Sequence, residues 1–269
     1  MKYFPSVGQS VGITFLVILS MLVFAVLNFY LIDLVGKEAA TFIYYVVCVG
    51  VPLLSFHAYR KNSNQVSSYN LKLEDALVAF VVMFIALGIQ FGITSPITNS
   101  IPMPDWVKQA FMELAGMGGL FGFLTIAIAA PILEEFIFRG IVLHGLLKNT
   151  SPWKAILISS FLFGFVHLNP WQFIGGMVIG IFMGWVYYKT HNLLYCMLIH
   201  FANNGFAFLL MQFSTPEEMM NETLVESYGG MTNLLIIIPV SILVVIFGIL
   251  FLNKQFTSQP ILNHEDAQL

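Results

Sequence analysis

Three short patterns carry side chains able to do chemistry, and they follow one another along the chain: Glu134-Glu135-x-x-x-Arg139, Phe163-x-x-x-His167 and His200-x-x-x-Asn204. In a helix, Glu135 and Arg139 lie four residues apart on one face and can pair. Glu134 points about 100° away from Glu135 and cannot share that face. Arg139 can therefore neutralise Glu135, which leaves Glu134 free to turn toward His167 and His200. His200 and Asn204 are again four apart, so an imidazole and an amide project together as donors suited to a developing oxyanion. Phe163, four residues before His167, is read as a packing wall for that imidazole.

These residues sit in stretches that should lie in a membrane. Of 269 residues, 58% are apolar and 9% charged, whereas a soluble domain has about 25% charged residues. That excludes an ordinary cytosolic enzyme and a disordered chain. A net charge of −3 leaves no basic footprint for nucleic acid. Eight apolar stretches, near 11–32, 39–57, 76–97, 120–147, 155–168, 173–188, 193–213 and 234–252, predict an all-α polytopic membrane protein with about eight transmembrane helices. The first is too long for a signal-peptide core. The fifth and sixth are short, with Asn169-Pro170 between them. The expected organisation is three N-terminal spans plus an interfacial helix (1–117), a core with the three motifs (118–213), and an acidic loop, last span and polar tail (214–269).

Ionisable residues inside spans are costly and are functional candidates by default. Glu134, His167 and His200 lie 14, 13 and 11 residues from Lys148, Lys154 and Lys189, which is about 21, 20 and 16 Å along a helix. Three helices thus bring polar groups to one level. The fifth helix is expected to stop at His167, with 168–170 unwound along a cavity, the setting in which irregular backbone is tolerated at membrane depth.

With the N-terminus inside, Lys2, Arg60, Lys61, Lys72, Lys148, Lys154, Lys189 and Lys254 fall on one side and only Lys37 and Lys108 on the other. This is the asymmetry expected of an even span count with both termini cytoplasmic. The segment 104–116 reads as an interfacial amphipathic helix. Glu217, Glu218, Glu222 and Glu226 read as a solvated outer loop. His57, His144, His191 and His264 read as solvated or loop histidines, and Cys48 and Cys196 as buried thiols.

The ordered trio of motifs resembles the CPBP intramembrane proteases, the CAAX-protease and bacteriocin-processing, or abortive-infection, family related to the type II CAAX prenyl endopeptidases. The resemblance covers about 118–213. It implies an eight-helix protease with a conical cavity open to the cytoplasmic side, acting as an intramembrane endopeptidase on a membrane-associated peptide: a CAAX-type, pheromone or bacteriocin-like substrate. It further implies that Glu134 activates water with His167, that His200 and Asn204 steady the oxyanion, and that Glu135 and Arg139 hold the site in shape. The family has been described as both glutamate-dependent and metal-dependent. Glu134, His167 and His200 could form a two-His, one-carboxylate zinc set, but no His-Glu-x-x-His pair is present and no cofactor is required for the same groups to act as a base and its partners.

Two other classes stay in view. A transporter or ion relay would also carry mid-membrane Glu and His, though no paired repeat of broken helices is visible. A non-catalytic bacteriocin-immunity or scaffold protein could keep the same residues.

Overall fold

The computed structural model describes residues 3–213, 215 and 222–258. Lys2, Glu217, Glu218 and His264 lie outside the described residues. The described residues form helices and no strand, with one isolated bridge between Asn70 and Asn192. In order these are α1 (Val7–Val35), α2 (Lys37–Asn64), α3 (Ala76–Asn99), α4 (Asp105–Ala115), α5 (Gly119–Asn149), α6 (Pro152–Phe165), α7 (Pro170–Thr190), α8 (Leu193–Met211), the single turn α9 (Leu224–Ser227) and α10 (Met231–Ser258).

Seven of these are long and apolar enough to cross a bilayer, and α6 is the eighth apolar helix, with only 14 residues. At 1.5 Å per residue α6 reaches about 21 Å against a hydrocarbon core of about 30 Å. The expected partial crossing is therefore found, and it ends two residues earlier than read, at Phe165. The sixth span, expected to be short, is a full 21-residue helix. Asn169 supplies the reason: its side chain caps the backbone N–H of Gln172, and Pro170 fits the first helical position, so α7 starts before the apolar run does.

Much apolar surface faces outward, as lipid contact requires. Phe29 on α1 is 72% exposed and Phe247 on α10 is 64% exposed. The interior is packed around α5, α6, α7 and α8. Gly164 on α6 lets α7 approach closely, since a Cβ there would lie 2.6 Å from the Phe173 carbonyl oxygen.

The two ends of the bundle differ. At one, Phe4 and Asn64 exchange hydrogen bonds, Asn149 donates to the Tyr3 carbonyl, and Asn192 donates to the Lys72 carbonyl. These bonds gather the loops holding Arg60, Lys61, Lys72, Lys148, Lys154 and Lys189, and the Trp185–Phe256 ring contact brings the Lys254 end of α10 alongside. Lys37 and Lys108 belong to the opposite end, with the α1–α2 turn at Gly36, the 100–104 connection and α4. The helix expected over 104–116 is present as α4. Of the histidines read as solvated or loop positions, His191 lies in the connection between α7 and α8 and packs on Tyr187, whereas His57 and His144 lie within helices, partly buried and partnered: His57 meets the Tyr69 hydroxyl at 2.9 Å, and His144 lies between those of Tyr3 and Tyr187. Both cysteines are free and buried.

Candidate active site

The α5 helix supplies both glutamates and Arg139. Its winding widens to π-helical turns at Leu124–Ala129 and again at Phe136–Leu143, immediately after the glutamates. A third such turn, Gln90–Thr94, interrupts α3. Extra residues of this kind shift the phase of a helix and recur at functional sites. The turns at Gln90–Thr94 and Leu124–Ala129 border one cavity, to which Gln90, Thr94, Thr125, Ile126 and, on the following stretch of α5, Glu134 contribute.

The expected pair is present: Arg139 Nη1 donates to Glu135 Oε1 at 2.9 Å, and both side chains are fully buried. Arg139 also lies over the Phe163 ring at 4.2 Å and donates from Nη2 toward the Gly180 carbonyl at 3.4 Å. Gly180 is needed here, because a Cβ would come within 3.1 Å of Nη2. The same Glu135 oxygen meets His200 Nδ1 at 2.9 Å. That second bond was not expected, because Glu135 was assigned to Arg139 alone.

Glu134 turns to the other side, as its helical phase requires. The Tyr45 hydroxyl donates to Oε1 at 2.5 Å. Oε2 is buried without a hydrogen-bond partner and lies 4.0 Å from His200 Nε2. This gap is too long for a direct bond but suits a shared water at about 2.8 Å from each atom. Tyr45 is the functional candidate that sequence reading missed. It lies 89 residues away in an apolar run of α2, and its only signal was a hydroxyl in a span.

His167 follows the end of α6, where His167 N–H bonds the Gly164 carbonyl. Its Nδ1 lies 3.0 Å from the Phe163 carbonyl oxygen. Nδ1 is therefore the donor, and Nε2 is left as an acceptor. Leu168 then takes a left-handed conformation, φ 56°, costly for a branched apolar side chain and held at the cavity wall. His167 and Glu134 line the same cavity, but no hydrogen bond joins His167 to Glu134 or to His200. Phe163 is the expected wall, edge-on to both imidazoles at 5.6 and 5.5 Å.

On α8, Asn204 donates one amide hydrogen to the Ile126 carbonyl at 3.1 Å and accepts from Asn203. One N–H of Asn204 stays uncommitted one helical turn from His200. The zinc alternative fits this arrangement poorly. Among the described residues, no three His, Cys, Asp or Glu side chains group so as to hold a metal ion.

The cavity has a volume of about 890 Å³. Its lining runs from the site to exposed Asn99, Pro102, Leu168 and Glu222, and along its flank to exposed Leu22 on α1. Every one of these rim positions except Leu22 is at the end opposite the basic loops. A mouth on the same side as the basic residues was expected, and the structure separates the two. The aromatic and aliphatic packing of Phe138, Ile141, Leu193 and Tyr195 closes the basic side.

Comparison with known proteins adds to this geometry. Residues 116–206 match the family model described as "Type II CAAX prenyl endopeptidase Rce1-like". The chain is 25% identical over 176 residues to "Putative membrane peptidase YdiL" of Bacillus subtilis (strain 168), covering 62% of this chain and 68% of that protein. It is 27% identical over 176 residues to "UPF0177 protein YaiF" of Lactococcus lactis subsp. lactis (strain IL1403), covering 63% and 76%. No solved structure matches. The matched segment contains all seven residues named in the three motifs, so the resemblance read from them holds, and at the family level the matches support a membrane protease.

Proposed function

We propose that this protein is an intramembrane endopeptidase in which Glu134 activates a water molecule to hydrolyse a peptide bond of a membrane-associated peptide, within a working core at 118–213. The observation that carries the reading is the pair of unequal Glu134 oxygens: Oε1 is held by Tyr45, and Oε2 is unpartnered, buried and 4.0 Å from His200 Nε2. A carboxylate fixed by one oxygen and free at the other is arranged to accept a proton from a bound water.

Each remaining group has a matching task. The water oxygen attacks the scissile carbonyl carbon while its proton passes to Glu134, with the Nε2 lone pair of His167 as a further acceptor beside the same cavity. The carbonyl oxygen takes the charge and is met by His200 Nε2–H and the uncommitted N–H of Asn204. The amide C–N bond then breaks as protonated Glu134 returns its proton to the leaving nitrogen. Glu135 orients His200 through Nδ1 and balances its charge when Nε2 is also protonated. Two carboxylates, one guanidinium and one imidazolium then sum to zero, which avoids burying a net charge. No step here calls on a metal.

Membrane peptides compared by mass spectrometry in cells carrying wild type or Glu134→Gln test this reading. Peptide termini present only with the wild type are expected, and they should persist after exhaustive chelation. Identical profiles would reject the endopeptidase. Termini that vanish on chelation and return with zinc would reject the metal-free step.

A further inference from the structure

The mouth of the cavity and the positive charge of the molecule lie at opposite ends, and the two together fix the side from which a substrate must come. Among the described residues, Arg60, Lys61, Lys72, Lys148, Lys154, Lys189 and Lys254 gather at one end, against Lys37 and Lys108 at the other. Short loops rich in lysine and arginine stay in the cytoplasm. The cavity rim at Asn99, Pro102, Leu168 and Glu222 is then on the far side of the membrane. From the cytoplasm, a peptide would have to pass Phe138, Ile141, Leu193 and Tyr195, each at most 2% exposed.

We infer that the site is served from the non-cytoplasmic face, and that its substrate is an exported peptide, or an extracytoplasmic segment, anchored in the outer leaflet. This rests on the endopeptidase reading and narrows it, because a CAAX tail exposed only to the cytoplasm would not reach Glu134. The lining suits such a chain. Gln90, Thr94, Thr98 and Asn99 line the way from rim to site with side chains able to meet the polar groups of an extended backbone. The flank beside exposed Leu22 gives an apolar anchor a path in from the lipid.

Single cysteines on the full-length protein in intact cells test this, using a membrane-impermeant maleimide. Asn99→Cys marks the rim and Lys61→Cys the basic end; both positions are exposed, and the two natural cysteines are buried. Asn99→Cys should label in intact cells and Lys61→Cys only after permeabilisation. Labelling of Asn99→Cys should also remove the Glu134-dependent peptide termini. Lys61→Cys labelling in intact cells, or Asn99→Cys staying unlabelled until the cells are opened, would overturn the outward-facing site while leaving the endopeptidase standing. Loss of any difference between wild type and Glu134→Gln would remove the endopeptidase, and the labelling pattern would still report the side of the mouth.

Discussion

The molecule buries two arginines under aromatic rings, and only one of them has the surroundings of an active site. Arg139 lies 4.2 Å over Phe163 and is tied to Glu135, which reaches His200 and, through it, the cavity. Arg60 lies 4.6 Å over Tyr69, and Nε and Nη1 have no hydrogen-bond partner. Near it stand His57, Tyr69, His144, Tyr187 and Tyr3, joined by hydrogen bonds from His57 to Tyr69 and from His144 to Tyr187 and Tyr3. No carboxylate pairs with Arg60 among the described residues, and the network is not part of the cavity lining. Buried ionisable groups alone are therefore a poor guide to chemistry. What separates the two clusters is an acid with an unused oxygen facing space that a substrate can enter.

The sharpest way to break this comparison is to strip each arginine of its role. Arg139→Ala should strand Glu135 in a dry setting, at a cost of about 3–5 kcal/mol, and lower both protein yield and activity. Adding Glu135→Ala should restore yield but not activity, since His200 would then lack its Nδ1 partner. Yield that stays low in the double variant would show that the loss was of packing, not of charge balance. Asn204→Ala removes one proposed oxyanion donor and should slow cleavage about 10²–10³-fold with the fold intact. An unaltered rate would place the oxyanion elsewhere.

Tyr45→Phe deletes one hydrogen bond to the Glu134 carboxylate, of a kind worth about 1.5–3 kcal/mol. Cleavage should fall roughly 10- to 100-fold, with unchanged thermal unfolding. The smallest effect belongs to the other cluster. Arg60→Met replaces an unpaired buried cation with an apolar chain of similar length, a change that is often neutral or stabilising. Yield should hold or rise, and activity per folded molecule should not move. A large activity loss there would erase the distinction between the two ends.

Which parts of this were legible in the sequence follows from how local each relation is. The Glu135–Arg139 pair, the phase of Glu134, the His200–Asn204 spacing and the early stop of α6 depend on neighbours within one or two helical turns. All four are present in the fold. Tyr45 meets Glu134 across 89 residues, and nothing in an apolar run distinguishes one tyrosine from the next. The Glu135–His200 bond was hidden because helical spacing assigns one partner to a carboxylate whose oxygen takes two. The π-helical turns leave no pattern in so uniformly apolar a stretch. The position of the mouth relative to the basic loops was not legible for another reason: charge reports which loops lie together, whereas the opening depends on which end the aromatic packing seals.

The most direct test of the central claim sets Glu134→Gln beside Glu135→Gln in the same membranes, reading protein yield and the wild-type peptide termini together. Both substitutions keep shape, yet they should fail differently. Glu134→Gln should accumulate normally and lose cleavage by at least the 10²–10⁴-fold typical of a general base. Glu135→Gln should lose yield, because Arg139 is left without its anion. Glu134→Gln that still cleaves like wild type, while Glu135→Gln folds normally and is inactive, would contradict the account and reverse the two carboxylates.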